Sequence, residues 1–195
     1  MQTTSPTLLQ RLANGADDES WTRFIEIYKP LILAVIRTFP SMTDQAEDIT
    51  QAVLLVLVKD LPSFHRQRPG SFRTWLRRIV VHKLHEFHRK GQRFPKPAAG
   101  SDVVESRIAE LADPSSELSQ QWDKEHDRHV VNSLMEMVRK DFSESNWTAF
   151  RMLKIDGRPV GDIARELNKS ENAVYLASSR ILKRLRDIGA GLIDT

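Results

Sequence analysis

Three imidazoles stand at equal steps, His82, His85 and His88, with Glu86 among them, a set of ligand types that could hold a metal for a hydrolase or nuclease. On a helix, steps of three turn through about 300° each, so the rings drift around the surface instead of converging on one ion. Arg77, Arg78, Lys83, Arg89 and Lys90 surround them and would repel a cation. These histidines are therefore expected as surface or DNA-contacting groups, and no metal, cofactor or catalytic residue is expected. The chain has no cysteine, which removes disulfides, thiolate zinc sites, iron–sulfur clusters and thiol nucleophiles together.

The cations themselves are the stronger signal. Residues 62–97 carry ten Lys and Arg against one acid, whereas residues 1–61 carry five against eight and residues 98–129 three against eight. Charge sorted into blocks points to a polyanionic partner, with nucleic acid first, the alternative being a solvated basic face with no partner. A second signal lies at Gly157–Arg180, whose spacing suits a helix-turn-helix. Ile163, Ala164 and Leu167 line a first helix, Asn168 tolerates a left-handed turn, Ser170 can cap a second helix, and Val174 reaches back to the first. In a DNA groove the second helix would offer Glu171, Asn172, Tyr175, Ser178 and Ser179 to base edges, and Arg180, Lys183, Arg184 and Arg186 to phosphates. An ordinary helical hairpin that binds protein would show the same spacing.

The elements that must position these groups are all helical. Trp21, Phe24, Ile25, Tyr28, Leu31, Ile32, Val35 and Ile36 recur at three- and four-residue steps, with Asp17 and Asp18 suited to a helix start and Pro30 inside the pattern. Thr43 is placed to cap a second helix running to Leu61, where Pro62 closes it. A third helix is expected over Phe72–Arg89, with Trp75, Leu76, Ile79, Val80, Leu84 and Phe87 inside and Arg73, Arg77, Arg78, Lys83, Arg89 and Lys90 outside. Residues 91–120 are rich in Pro, Gly and Ser and read as a linker, with a short helix near Val103–Leu111. Periodicity resumes from Glu117 through Trp122, Val130, Leu134 and Val138. The expected fold is all-α: two small domains, 1–93 and 125–195, joined by a flexible linker over 94–124. The longest apolar stretch, Val53–Val58, is far short of the roughly 18 residues of a membrane span, and no export signal is visible. A cytoplasmic protein is expected.

Taken in order, these segments resemble an extracytoplasmic-function sigma factor, the small class of bacterial RNA polymerase specificity subunit. Tyr28-Lys-Pro-Leu31, Ala46-Glu-Asp-Ile-Thr-Gln51 and Phe72-Arg-Thr-Trp-Leu-Arg-Arg-Ile79 resemble sigma region two. Trp147-Thr-Ala-Phe150, Gly157-Arg-Pro159, Asp162-Ile-Ala164 and Asn172-Ala-Val-Tyr175, followed by Ser179 to Arg186, resemble sigma region four. The resemblance implies that Asp48 and Gln51 dock on the coiled coil of the polymerase largest subunit, with the polymerase flap a further contact. It implies that region two melts and holds the minus-10 promoter element through Arg77, Arg78, Lys83, Arg89 and Lys90, with an extruded base in the loop Ser63–Ser71 and Trp75 as either core or stacking platform. It further implies minus-35 reading by the helix-turn-helix and control by an anti-sigma protein. Val81-His82, Ala52, Tyr175 and Ala177 depart from the family's common residues, which bears on the promoter sequence. The competing reading is a helix-turn-helix regulator that acts without binding polymerase.

Overall fold

The computed structural model describes residues 8–15, 18–64, 71–92, 101–190 and 192. Among them the secondary structure is helical, with no β-strand: α1 (Leu8–Ala13), α2 (Asp18–Arg37), α3 (Ala46–Asp60), α4 (Ser71–Gln92), α5 (Ser101–Ala112), α6 (Glu117–Arg139), α7 (Glu144–Lys154), α8 (Val160–Glu166) and α9 (Glu171–Gly189). They form two compact units, one holding residues 8–130 and the other 131–190.

In the first unit, α2 places Phe24, Ile27, Tyr28, Leu31, Ile32, Val35 and Ile36 on one buried face, as the three- and four-residue steps require. Pro30 lies inside α2 on its exposed side, and the helix runs through it. The second helix does not begin at Thr43. Pro40 starts a 3-10 turn over Pro40–Gln45, so that α3 opens at Ala46 without a side-chain cap, and Thr43 is exposed. The core is sewn together by aromatic rings at the first turn of α4. Phe72 lies 5.4 Å from Tyr28, 5.5 Å from Phe64 and 5.6 Å from Trp75, and Phe24 stands 4.6 Å from Tyr28. Burying Phe72 contributes about 1.5–3 kcal/mol, and each favourable ring pair about 0.5–1.5 kcal/mol more. Trp75 is half-buried in this cluster, 4.9 Å from Phe64, and so belongs to the packing.

The expected flexible linker over 94–124 is not what its described residues form. Ile108 and Leu111 of α5 are buried, α5 packs on α4, and the first half of α6 buries Ser119, Trp122, His126 and Val130 within the same unit. The boundary therefore falls at residues 130 and 131, inside α6. Ser, Asp and Pro near Asp113–Ser116 make only a tight turn, in which Asp113 Oδ1 accepts from the Ser115 amide and hydroxyl. These bonds hold the Asp113 carboxyl below its ordinary range.

In the second unit the helix-turn-helix forms as its residues indicate. Asn168 takes φ 49°, and the Lys169 amide reaches the Ala164 carbonyl at 2.8 Å, closing α8 with the bond that a left-handed residue makes available. Ser170 then caps α9, its hydroxyl accepting from the Ala173 amide at 3.1 Å. Val174 is fully buried against Ala149, Met152, Ile163 and Ala164. Lys169, standing where an apolar turn residue is usual, donates to Asn146 Oδ1 at 3.1 Å and so ties the turn to α7.

Ser170→Ala should cost about 1 kcal/mol, read as weakened hydrogen-exchange protection across α8 and α9. Asn168→Gly should leave that protection unchanged or raise it. Asn168→Val, with a branched side chain at positive φ, should lower it.

Candidate nucleic-acid interface

α4 carries the basic block, and its cations meet three different fates. Arg77 is 4% exposed: it donates to the Ser119 hydroxyl and lies 3.3 Å from Asp123 Oδ1, both on α6. Burial pulls its pKa below the ordinary guanidinium value, with Asp123 opposing that shift. Arg73, one turn earlier, meets Asp127 at 2.6 Å and Asp123 at 3.2 Å. The expectation that Arg77 projects outward to a phosphate is thus corrected. At 100° per residue, position 77 shares the side of Arg73 that α6 covers, while Arg78 turns away.

Lys83 and Lys90 flank Glu86 at 2.8 and 2.7 Å. Their hydrogen bonds, Lys83 first, hold the Glu86 carboxyl at about 2, so it stays ionised and offsets part of the local charge. Lys90 also lies 5.4 Å from the centre of the Phe87 ring. Arg78 and Arg89 are exposed. Arg78 borders a cavity of about 400 Å³ between α4 and the end of α5, lined by Thr74, Arg77, Arg78, Val81, His82, His85, Ala112 and Pro114, with no carboxylate among them. The three histidines do not converge: His82 borders the cavity, while His85 Nδ1 and His88 Nε2 lie 3.4 and 3.6 Å from Glu105 of α5. Among the described residues no set of His, Asp and Glu is arranged to hold a metal. Residues 65–70 of the loop expected to hold an extruded base lie outside the described residues.

On α3, Asp48 and Gln51 are exposed as expected. Leu55 (72% exposed) and Val58 (44% exposed) extend their stripe by one and two turns. Sequence reading missed both, because six apolar residues in a row conceal which of them a helix must turn outward. On α9, Glu171, Asn172, Tyr175, Ser179, Arg180 and Lys183 are exposed, and Leu176 joins them one turn after Asn172. Ser178 is not with them. It is 1% exposed, because it follows Val174 by one turn on the side facing the core. Arg184 is committed to Asp141 at 2.8 Å. The Asp123 and Asp127 contacts were missed as well, although their four-residue spacing, matched to that of Arg73 and Arg77, was visible.

These helices present a polar and apolar stripe on α3, a partly neutralised basic helix beside it, and a capped helix-turn-helix in the second unit. Such surfaces suit protein docking and phosphate binding. Residues 24–94, from α2 to just beyond α4, match the family model for sigma-70 region 2. That span, 71 of the 195 residues, is similar to region 2 of the sigma-70 transcription initiation factors, the part of those proteins that meets core RNA polymerase and promoter DNA. No curated protein matches the chain. Among the described residues no helix is long and apolar enough to cross a membrane.

Neighbouring arginines should separate by assay. Arg77→Ala should lower the melting temperature of the first unit, since it strips Ser119 and Asp123 of a buried partner, whereas Arg78→Ala should leave melting unchanged and reduce the salt dependence of DNA binding. Equal effects of the two on melting would contradict this assignment.

A pH dependence follows from His126. The ring is fully buried beside Tyr28, 5.8 Å between ring centres, and burial lowers its pKa although Asp127 Oδ1, 3.0 Å from Nδ1, favours the proton. Asp123 also favours the proton and Arg73 opposes it. The unfolded chain therefore binds the proton more readily, so the first unit should lose stability as pH falls below about 6.5. Thermal unfolding between neutral and mildly acidic pH should show this fall, and His126→Leu should flatten it.

Proposed function

We propose that this chain is a sigma factor of the extracytoplasmic-function type, which directs core polymerase to particular promoters and assists strand opening. The observation that carries the reading is the capped helix-turn-helix of α8 and α9, with Asn172, Tyr175, Ser179, Arg180 and Lys183 exposed along one side, in the same chain as a region-two domain. In this reading residues 131–190 act as region four and read the minus-35 element through Asn172 and Tyr175, while Arg180 and Lys183 bind phosphates. Asp48 and Gln51 meet the polymerase coiled coil, with Leu55 supplying the apolar contact that a polar pair alone lacks. Arg78, Arg89 and the Lys83–Lys90 pair line the path of the minus-10 strand. An anti-sigma protein covering the α3 stripe belongs to the same reading.

The test is transcription by core polymerase with and without the protein, on promoters selected from its own genome. Initiation should depend on the added chain. Asp48→Lys with Leu55→Asp should weaken competition for core polymerase by roughly tenfold or more while helicity stays intact. Tight duplex binding as a dimer, with no effect on initiation, would favour a regulator that works without polymerase.

A further inference from the structure

Residues 117–130 of α6 do more than extend the first unit. Arg73 and Arg77 stand four apart on α4, and Asp123 and Asp127 stand four apart on α6, so each helix presents one charge per turn along the same side. Ser119, a turn before Asp123, completes the row against Arg77. Trp122 and His126 lie beneath it, buried, and His129 Nε2 donates to the Ile27 carbonyl of α2 at 2.7 Å. The arm is acidic where the block it covers is basic: four acids to two cations over 117–130, against one to ten over 62–97.

We propose that this arm is an intramolecular cover for the cationic side of α4, its carboxylates occupying the place that nucleic-acid phosphates would take, and that it undocks when α4 engages DNA. The inference rests on the DNA-binding role proposed for α4 and adds Arg73 and Arg77, once uncovered, to the cations that role already uses, Arg78, Arg89 and the Lys83–Lys90 pair. Two features fit a reversible contact. Asp123 and Asp127 remain a third or more exposed, so competing phosphates and salt can reach them. Arg73 is held by these same two carboxylates, whereas Arg78 and His82 border the acid-free cavity. Docking reduces apparent DNA affinity by the fraction of molecules in which the arm is closed.

The test compares the full chain with D123N/D127N, which keeps the shape and one accepting oxygen of each side chain while removing its charge. A control, E110Q/E125Q, makes the same change in net charge on the α5–α6 segment, at residues with no ion pair to α4 among the described residues. The probe is a mixed-sequence single-stranded DNA oligonucleotide, with affinity read by fluorescence anisotropy and docking by hydrogen exchange of amides 117–130. D123N/D127N should bind roughly fivefold or more tightly than the wild type, and the control should not. In the wild type, saturating oligonucleotide should remove protection from 117–130 while α2 stays protected, a result that needs no variant to fold. If the wild type binds and 117–130 stay protected, or if both variants gain equally, the cover is overturned while DNA binding by α4 stands. If neither the wild type nor D123N/D127N binds, the DNA-binding role of α4 fails, and the cover fails with it.

Discussion

A buried guanidinium cannot stand alone, and the first unit is arranged around that requirement at Arg77. Taking the charge out of water costs several kcal/mol unless its donors are met and a counter-charge lies close. The buried apolar residues of α2 and α3, among them Phe24, Ile27, Tyr28, Ile49, Val53 and Leu57, offer no counter-charge. The partners come from α6, as the Ser119 hydroxyl and the Asp123 carboxylate. A segment outside the span matched to sigma-70 region 2 is thereby made part of that domain's fold. The same docking brings Trp122 and His126 against the aromatic cluster, so the polar contact and the apolar one support each other.

That arrangement sets what the remaining surfaces can do. With its aromatic side in the core and its Arg73–Arg77 side under α6, α4 has a narrow free sector containing Arg78, His82 and Arg89. α3 is held along Ala46, Ile49, Thr50, Val53 and Leu57, which leaves Asp48, Gln51, Leu55 and Val58 in a continuous outward row. A carboxylate and an amide leading into two exposed aliphatic side chains form a surface that loses energy in water and gains it against a protein, as an apolar contact centre with a polar rim does. α9 solves a different problem. Its exposed side needs no counter-charge, and its rigidity comes from Val174 and Ile181 beneath and from the Ser170 cap at its start.

Much of this could be read in the residues alone. Apolar spacing placed α2, α4 and α9, and the local chemistry of Asn168 and Ser170 placed the turn between α8 and α9, because both act within a few residues of themselves. Two errors came from long-range partners and two from local geometry. Pro, Gly and Ser around residues 91–120 look like a linker because composition does not show that Ile108, Leu111 and Trp122 find a surface to bury against. Arg77 looked free because its nearest partner lies 42 residues further on. Ser178 looked like a base reader because it sits next to Ser179, although only the latter is on the open side. Thr43 looked like a cap because the 3-10 turn opened by Pro40 was not anticipated.

The fate of Arg77 and Arg78 shows why a charge block is not itself a functional unit. Ten cations over 62–97 set a potential that attracts polyanions from a distance, and at that range every cation counts alike. At contact the helix separates them. A step of one residue turns the side chain by about 100°, enough to carry it from a sector packed under α6 to an exposed one. Lys83 and Lys90 are separated again by Glu86, the sole acid of the block, which holds both. The long-range field and the local contacts thus draw on different subsets of the same residues. A substitution that barely changes the field, such as one within the Asp123 and Asp127 row, can alter which cations are presented for binding.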